Sequence, residues 1–178
     1  YLAPAAVSEM SQMLNWGAVS QKSYRLGRNP LKRLIENEIT LSPLLTVTED
    51  FELGLGPQFN GLGEKAPSLL PIIEHGKIKN LFTSTKSAIE FKIEGNLADE
   101  QEGFRSMNIT TGQLKSNDIL ATLGTGLFIS NLHYINWSNP MEARITGMTR
   151  YACFWVKDGQ IQGPIEDLRF DDSLFDLW

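Results

Sequence analysis

At 178 residues, with 42% hydrophobic and 21% charged side chains, the chain has the composition of one globular domain, 1–178, able to bury about two thirds of its unfolded surface. No apolar run approaches the roughly 20 residues of a membrane-spanning helix, and no basic segment followed by an apolar core marks a leader, so a cytoplasmic protein without a membrane partner is expected. Sixteen basic against 21 acidic side chains leave a net charge of −5, with no basic stripe of the kind that grips nucleic acid.

The chain opens on Tyr1-Leu2-Ala3 rather than Met and stops at Trp178 with apolar residues still arriving. Both ends read as cuts in a longer protein. Residues 3 to 16 predict a helix: Pro4 suits the first turn, Val7, Met10 and Leu14 recur at helical spacing, and Gly17 can end it. The basic cluster Lys22, Arg25, Arg28, Lys32 and Arg33 could touch phosphate, but reads better as a solvated helix face. A short helix begins at Asn29 as cap, with Pro30 in its first position, and buries Leu31, Leu34 and Ile35.

From there the period changes to two. Leu45, Val47 and Glu49 alternate with threonines, and Ile89, Phe91 and Ile93 alternate with Glu90, Lys92 and Glu94, so both stretches predict half-buried strands. His75-Gly76 and Asp158-Gly159 sit between apolar runs, and each permits the positive φ angles of a tight hairpin. The two hairpins fit an internal duplication or two uses of a common turn. Gly54 to Gly63 and the acidic stretch from Asn96 to Gly103 predict exposed loops. A further helix runs from a Ser116 cap through Ile119, Leu120 and Leu123 to Gly124 or Gly126. The sum is an α+β domain, rich in antiparallel strands and hairpins, with two or three short helices.

Few residues are placed to carry chemistry. His75 and His133 stand 58 positions apart, and no paired-histidine or paired-cysteine motif occurs, so a metal site would need ligands from distant segments. His75 reads as a turn residue. His133 lies on an aromatic strand and fits a structural role better than a cleft. Cys153, among Tyr151, Phe154 and Trp155, reads as a buried thiol. No serine stands in a nucleophile elbow. Asp171-Asp172 and Glu49-Asp50 would point to opposite faces of an extended segment, which suits solvated turns or caps better than an acid/base pair. The stretch from Asn131 to Arg150 is richer in groups that grip a peptide: His133, Tyr134, Asn136, Trp137, Arg144, Thr149 and Arg150. An extended peptide could add to a strand edge there, or the same residues could pack against a missing domain.

Several blocks resemble the TldD/PmbA family, zinc proteases and their metal-free relatives, also described as modulators of DNA gyrase. Phe59-Asn60-Gly61-Leu62-Gly63, then Ile73-Glu74-His75-Gly76, then Ser87-Ala88, are similar to the family's acidic turn, Ile-Glu-x-Gly hairpin and Ser-Ala. Phe104 to Ile109 resembles its Arg-x-x-Asn strand, and Gly124 to Ile129 its Gly-x-Gly-Leu segment. Thr146 to Arg150, Phe154 to Gly159, Gly163-Pro164-Ile165 and Leu168-Arg169-Phe170 resemble its closing hairpin.

The resemblance implies a β-rich C-terminal domain of a two-domain protein, working as a homodimer or with a zinc-bearing TldD-like paralogue on peptide or unfolded protein. In active members it implies zinc held by a His-Glu-x-x-x-His helix near the start of this domain. There two histidines bind the ion and the glutamate takes a proton from zinc-bound water. Laid on that pattern without gaps, the three positions fall near Gln12, Met13 and Gly17, none of which can replace what is needed, and a shift of several residues finds no histidine before His75. Asn60 and Leu62 likewise stand where acids are usual. The expected protein is therefore the non-catalytic type with no cofactor, a peptide-binding or regulatory subunit. Zinc would belong only to an alternative peptidase with ligands outside this chain; an assembly module is the other alternative.

Overall fold

The two dipeptides expected to turn the chain do so in the computed structural model, which describes residues 1–178. His75 and Gly76 take φ of 49° and 75°, and Asp158 and Gly159 take 51° and 73°, the left-handed pair whose twist suits a two-residue hairpin. Only glycine fits the second position of the first hairpin. A Cβ on Gly76 would stand 2.3 Å from the Leu41 carbonyl oxygen and 2.7 Å from that of Ser42.

The helices are α1 (Pro4–Ser11), α2 (Gln21–Arg25), α3 (Lys32–Ile35), α4 (Thr85–Phe91), α5 (Ile119–Leu123) and α6 (Leu174–Leu177). The strands are β1 (Val47–Asp50), β2 (Leu69–Glu74), β3 (Lys77–Ile78), β4 (Met107–Ile109) and β5 (Gly126–Phe128), then β6 (Leu132–Asn139), β7 (Arg144–Thr149), β8 (Phe154–Lys157), β9 (Gln160–Pro164) and β10 (Arg169–Ser173). All their pairings are antiparallel. The α+β class holds, with six helices, mostly short, in place of two or three.

The chain forms two compact units. The first comprises Tyr1–Met13, Gly112–Asn139 and Arg144–Ser173; the second comprises Leu14–Thr111, Pro140–Ala143 and Leu174–Trp178. In the first unit two three-stranded sheets form, in the orders β10-β7-β6 and β5-β8-β9. Tyr1 to Ala3 runs parallel to Leu127–Ile129, held by the bonds Tyr1 N to Leu127 O (2.9 Å), Ile129 N to Tyr1 O (2.9 Å) and Ala3 N to Ile129 O (2.8 Å). The predicted first helix is α-helical over Pro4–Ser11, then tightens to a 3₁₀ turn at Gln12–Asn15 before Gly17. The predicted helix at Ser116 starts as a 3₁₀ turn, becomes α5 and stops at Gly124. Cys153 is buried, as expected.

The second unit carries a four-stranded sheet, β3-β2-β1-β4, whose central strands bury Val47, Ile72 and Ile73. α3 begins at Lys32 with Leu31 as its cap residue, so Pro30 lies outside it, and the turn ahead of the helix is held by Asn29. Its Oδ1 accepts from the N–H of Leu31 at 2.8 Å, and its Nδ2 donates to the carbonyls of Gly17 and Ser20. Leu31 and Leu34 are buried as predicted, and Ile35 half-buried. The basic cluster is exposed throughout.

Three expectations fail here, for local reasons. Ile89, Phe91 and Ile93 do not form a strand: the Ser84 side chain caps the start of α4 by accepting from the N–H of Ser87, and Lys92 in the left-handed region (φ 54°) ends it. Caps outweigh a short alternation, and Ile89 is left 74% exposed. The Asn96–Gly103 loop is irregular as predicted, but not wholly exposed, because Ala98 and Glu102 are buried. The Glu49-Asp50 pair splits. Asp50 caps the turn Phe51–Leu53 by accepting from the N–H of Glu52, as a cap residue should. Glu49, on a strand flanked on both sides, turns inward with Val47 and is 2% exposed.

Candidate functional site

The strand β6 positions most of the predicted peptide-binding residues, and a bulge decides which way they face. His133 pairs with Met148 and Asn136 with Thr146. Two residues of β6, Tyr134 and Ile135, therefore oppose Gly147 alone, and Tyr134 takes a positive φ of 52°. Paired residues share a sheet face. His133, Met148 and Arg169 form one row and Asn136, Thr146 and Asp171 the next, on the more exposed side. There the Arg144 guanidinium holds Asp171, with Nη2 2.9 Å and Nε 2.9 Å from Oδ1. The Asp171 carboxyl lies below the usual carboxylate range, chiefly through a hydrogen bond from Ser138 and then through Arg144.

Trp137 and Thr149 belong to the opposite side, paired with Ile145 and Leu132, and Thr149 is 6% exposed. The Trp137 indole Nε1 is buried with no hydrogen-bond partner. Tyr134 is 76% exposed, its ring centroid 3.9 Å from that of His133. Arg150 lies over the Tyr151 ring at 4.8 Å. The structure thus brings His133, Tyr134, Asn136 and Arg144 to one side and separates Trp137 and Thr149 from them. It also narrows the options for strand addition. The N–H of Trp137, on an edge strand, already donates to Asn136 Oδ1 at 2.8 Å, and on the other edge Ser173 N donates to Asp172 Oδ1 at 2.8 Å.

In the second unit the turn at Asn60 is a closed hydrogen-bond system. Asn60 Oδ1 accepts from the N–H groups of Leu62 and Glu64, each at 3.0 Å. Its Nδ2 donates to Glu64 Oε2 at 2.7 Å and to the carbonyls of Leu97 and Ala98. The hydrogen bonds from Asn60 and Thr85 hold the Glu64 carboxyl below its usual range. An aspartate at position 60 would turn an oxygen toward these three acceptors. Asn60→Asp is therefore expected to lower Tm at pH 7 by about 2–4 °C, and the deficit should shrink as acid neutralises the facing carboxylates below about pH 4. Thermal melts of both forms at pH 7 and pH 4 check this.

A groove of about 620 Å³ opens in the same unit between α2, α3 and the chain that leaves β3. Arg25, Lys79 and Glu94 stand in its walls, with Ile35, Ile78 and Ile93 supplying apolar lining. Neither the composition nor any motif flags it, because its residues come from four separate segments.

The sequence pattern of the PmbA/TldA metallopeptidase C-terminal domain matches residues 1–178. The chain belongs to this family. No curated protein matches it. Solved structures share the fold. A candidate modulator of a DNA gyrase from Thermotoga maritima superposes with a TM-score of 0.82 at 17% identity, over 99% of this chain and 41% of its own. TldE from Thermococcus kodakarensis gives 0.78 at 18% identity over 99% and 41%. A candidate modulator of DNA gyrase from Bacteroides thetaiotaomicron gives 0.78 at 17% over 99% and 39%. The chain thus spans about two fifths of these relatives.

The resemblance implies zinc in active members, and the residues that the sequence lays on that motif, Gln12, Met13 and Gly17, do not fit the ion. Gln12 offers an amide where an imidazole is needed. Met13 is 2% exposed and carries no group that takes a proton. Gly17 has no side chain, and its φ of 86° belongs to the left-handed region after the helix has ended. Nowhere do three His, Cys, Asp or Glu side chains gather in a set that could hold a metal ion. No helix is long and apolar enough to cross a membrane.

Proposed function

We propose that this domain belongs to the zinc-free type of the family, a non-catalytic subunit that holds peptide or unfolded polypeptide and works with a zinc-bearing TldD-like paralogue or as a homodimer. The observation that carries the reading is the state of the three aligned positions: an amide, a core methionine and a left-handed glycine stand where the metal ligands and the general base would be. Water bound to zinc becomes a nucleophile near neutral pH only when ligands hold the ion and a base receives the proton, and neither role has a candidate there. The side of β6 and β7 that carries His133, Tyr134, Asn136 and Arg144 supplies aromatic, amide and guanidinium groups of the kind that grip a peptide.

A degradation assay on an unfolded protein substrate tests this. The full-length protein alone is expected to leave the substrate intact. Adding the zinc-bearing paralogue from the same organism should produce chelator-sensitive cleavage. Chelator-sensitive cleavage by the full-length protein alone would overturn the reading.

A further inference from the structure

We infer that the groove between α2, α3 and the chain leaving β3 seats an extended peptide segment carrying an acidic residue. This deepens the peptide-holding reading above and rests on it, and assigns the peptide a place distinct from the β6–β7 surface. The volume, about 620 Å³, lies within the range of ligand clefts, roughly 300–1,000 Å³. The floor is extended chain that has left its sheet: β3 ends at Ile78, and the chain continues through Leu81 to the isolated bridge at Phe82. Lys79 N–H is taken by the Ile72 carbonyl and Phe82 N–H by that of Val19, but the N–H groups of Asn80 and Leu81 meet no acceptor within the chain. Successive N–H groups of an extended chain point to opposite edges, and with that of Lys79 turned to Ile72 the N–H of Asn80 is the one left for the carbonyl of an added extended segment, while half-buried Ile35, Ile78 and Ile93 receive its apolar side chains.

Charge sets the identity of the occupant. Arg25 is exposed and within ion-pair distance of no carboxylate, and the same holds for its neighbours Lys22 and Arg28. Three uncompensated cations on one short stretch stand out in a chain of net charge −5. A guanidinium fork at a groove wall suits a carboxylate. Glu94 in the lining favours a cationic group and so gives the peptide a direction. The walls are already fixed. Asn96 accepts from Thr83 N at 2.9 Å and donates to the Leu81 carbonyl at 2.8 Å, and Gln21 N donates to the Phe82 carbonyl at 3.0 Å. A pre-built groove spends little of its binding energy on ordering.

Fluorescence anisotropy with the full-length protein tests the assignment, using labelled hexapeptides of alternating Glu-Leu and alternating Lys-Leu. The acidic peptide should bind and the basic one should not compete with it. Arg25→Glu should weaken binding about tenfold or more, and raising salt from about 50 to 300 mM should weaken it further. Lys157→Glu, the same charge change on exposed β8, should leave affinity unchanged, and both variants should melt as the parent does. Equal binding of the two peptides, equal effects of the two variants, or no binding of the acidic peptide would overturn the inference. Zinc content and paired cleavage are read separately, so failure here and failure of the zinc-free reading are distinguishable.

Discussion

Glu102→Ala is expected to destabilise the protein by about 3 kcal/mol, the largest single-residue effect on the chain outside the apolar core. Glu102 is 1% exposed and fully engaged. Its Oε2 accepts from Ser20 Oγ and from Lys22 N, both at 2.7 Å, and its Oε1 accepts from Ser84 N at 3.0 Å and Ser84 Oγ at 3.1 Å. Ser20 and Ser84 are the N-caps of α2 and α4, so one carboxylate joins two helix starts, where negative charge is favoured. Alanine would leave buried donors without acceptors, and glutamine would restore only one acceptor while turning an NH₂ toward donors. Burial pushes the Glu102 pKa up, but the hydrogen bonds from Ser87, Lys22, Ser20 and Ser84 outweigh it and hold the value below the ordinary 4.5.

The sign of the pH dependence follows. A depressed carboxylate contributes stability that is complete above its unfolded pKa and is lost as pH falls through the folded value. The gap between parent and variant should therefore be flat from about pH 6 to 8 and narrow below about pH 4.5. Glu49 has the opposite sign: burial, only partly offset by the N–H groups of Arg105 and Ser106, raises its pKa. Its ionisation costs stability at neutral pH, and acid relieves that cost. Urea unfolding of Glu102→Ala and Glu49→Gln at pH 7 and pH 4 separates the two.

Writing a His-Glu-x-x-x-His motif into positions 12 to 17 is expected to fail. The triple variant Gln12→His, Met13→Glu, Gly17→His should take up no stoichiometric zinc and should lose about 3–5 kcal/mol. Met13 is 2% exposed, so glutamate there buries a charge with no partner. Gly17 holds φ of 86°, and a Cβ would meet Ser23 Oγ at 3.1 Å; left-handed strain alone costs about 1 kcal/mol. The helical path has also ended at Asn15, so positions 12 and 17 do not share one helix. Urea melts and zinc binding to the variant check both halves of the expectation. Tight one-to-one zinc in a stable triple variant would mean that only side chains separate this backbone from a zinc site.

The parts of the fold that depend on local chemistry were legible. His75-Gly76 and Asp158-Gly159 turn because few dipeptides tolerate two left-handed residues, and α5 stops at Gly124 for the same kind of reason. What depends on distant chain was not. Glu102 looks like a solvated acid, and Glu49 is read both as solvated, from its pair with Asp50, and as inward, from its alternation with Val47, until chain some 82 and 56 positions away brings them donors. The strand expected at Ile89 to Ile93 rested on three alternations, too few to outweigh the Ser84 cap. On β6 the pleat alone would place His133 and Trp137 on one face and Asn136 on the other. The extra residue at Tyr134 and Ile135 reverses that parity. A bulge leaves little mark in sequence, and it decides which of the seven candidate residues can act together.

The account turns on whether the domain holds zinc. The most direct measurement is metal analysis by inductively coupled plasma mass spectrometry of the full-length protein, purified without chelator and dialysed against zinc before removal of excess. An amide, a core methionine and a left-handed glycine at positions 12, 13 and 17 predict far less than one zinc per chain. One tightly held zinc per chain would contradict it.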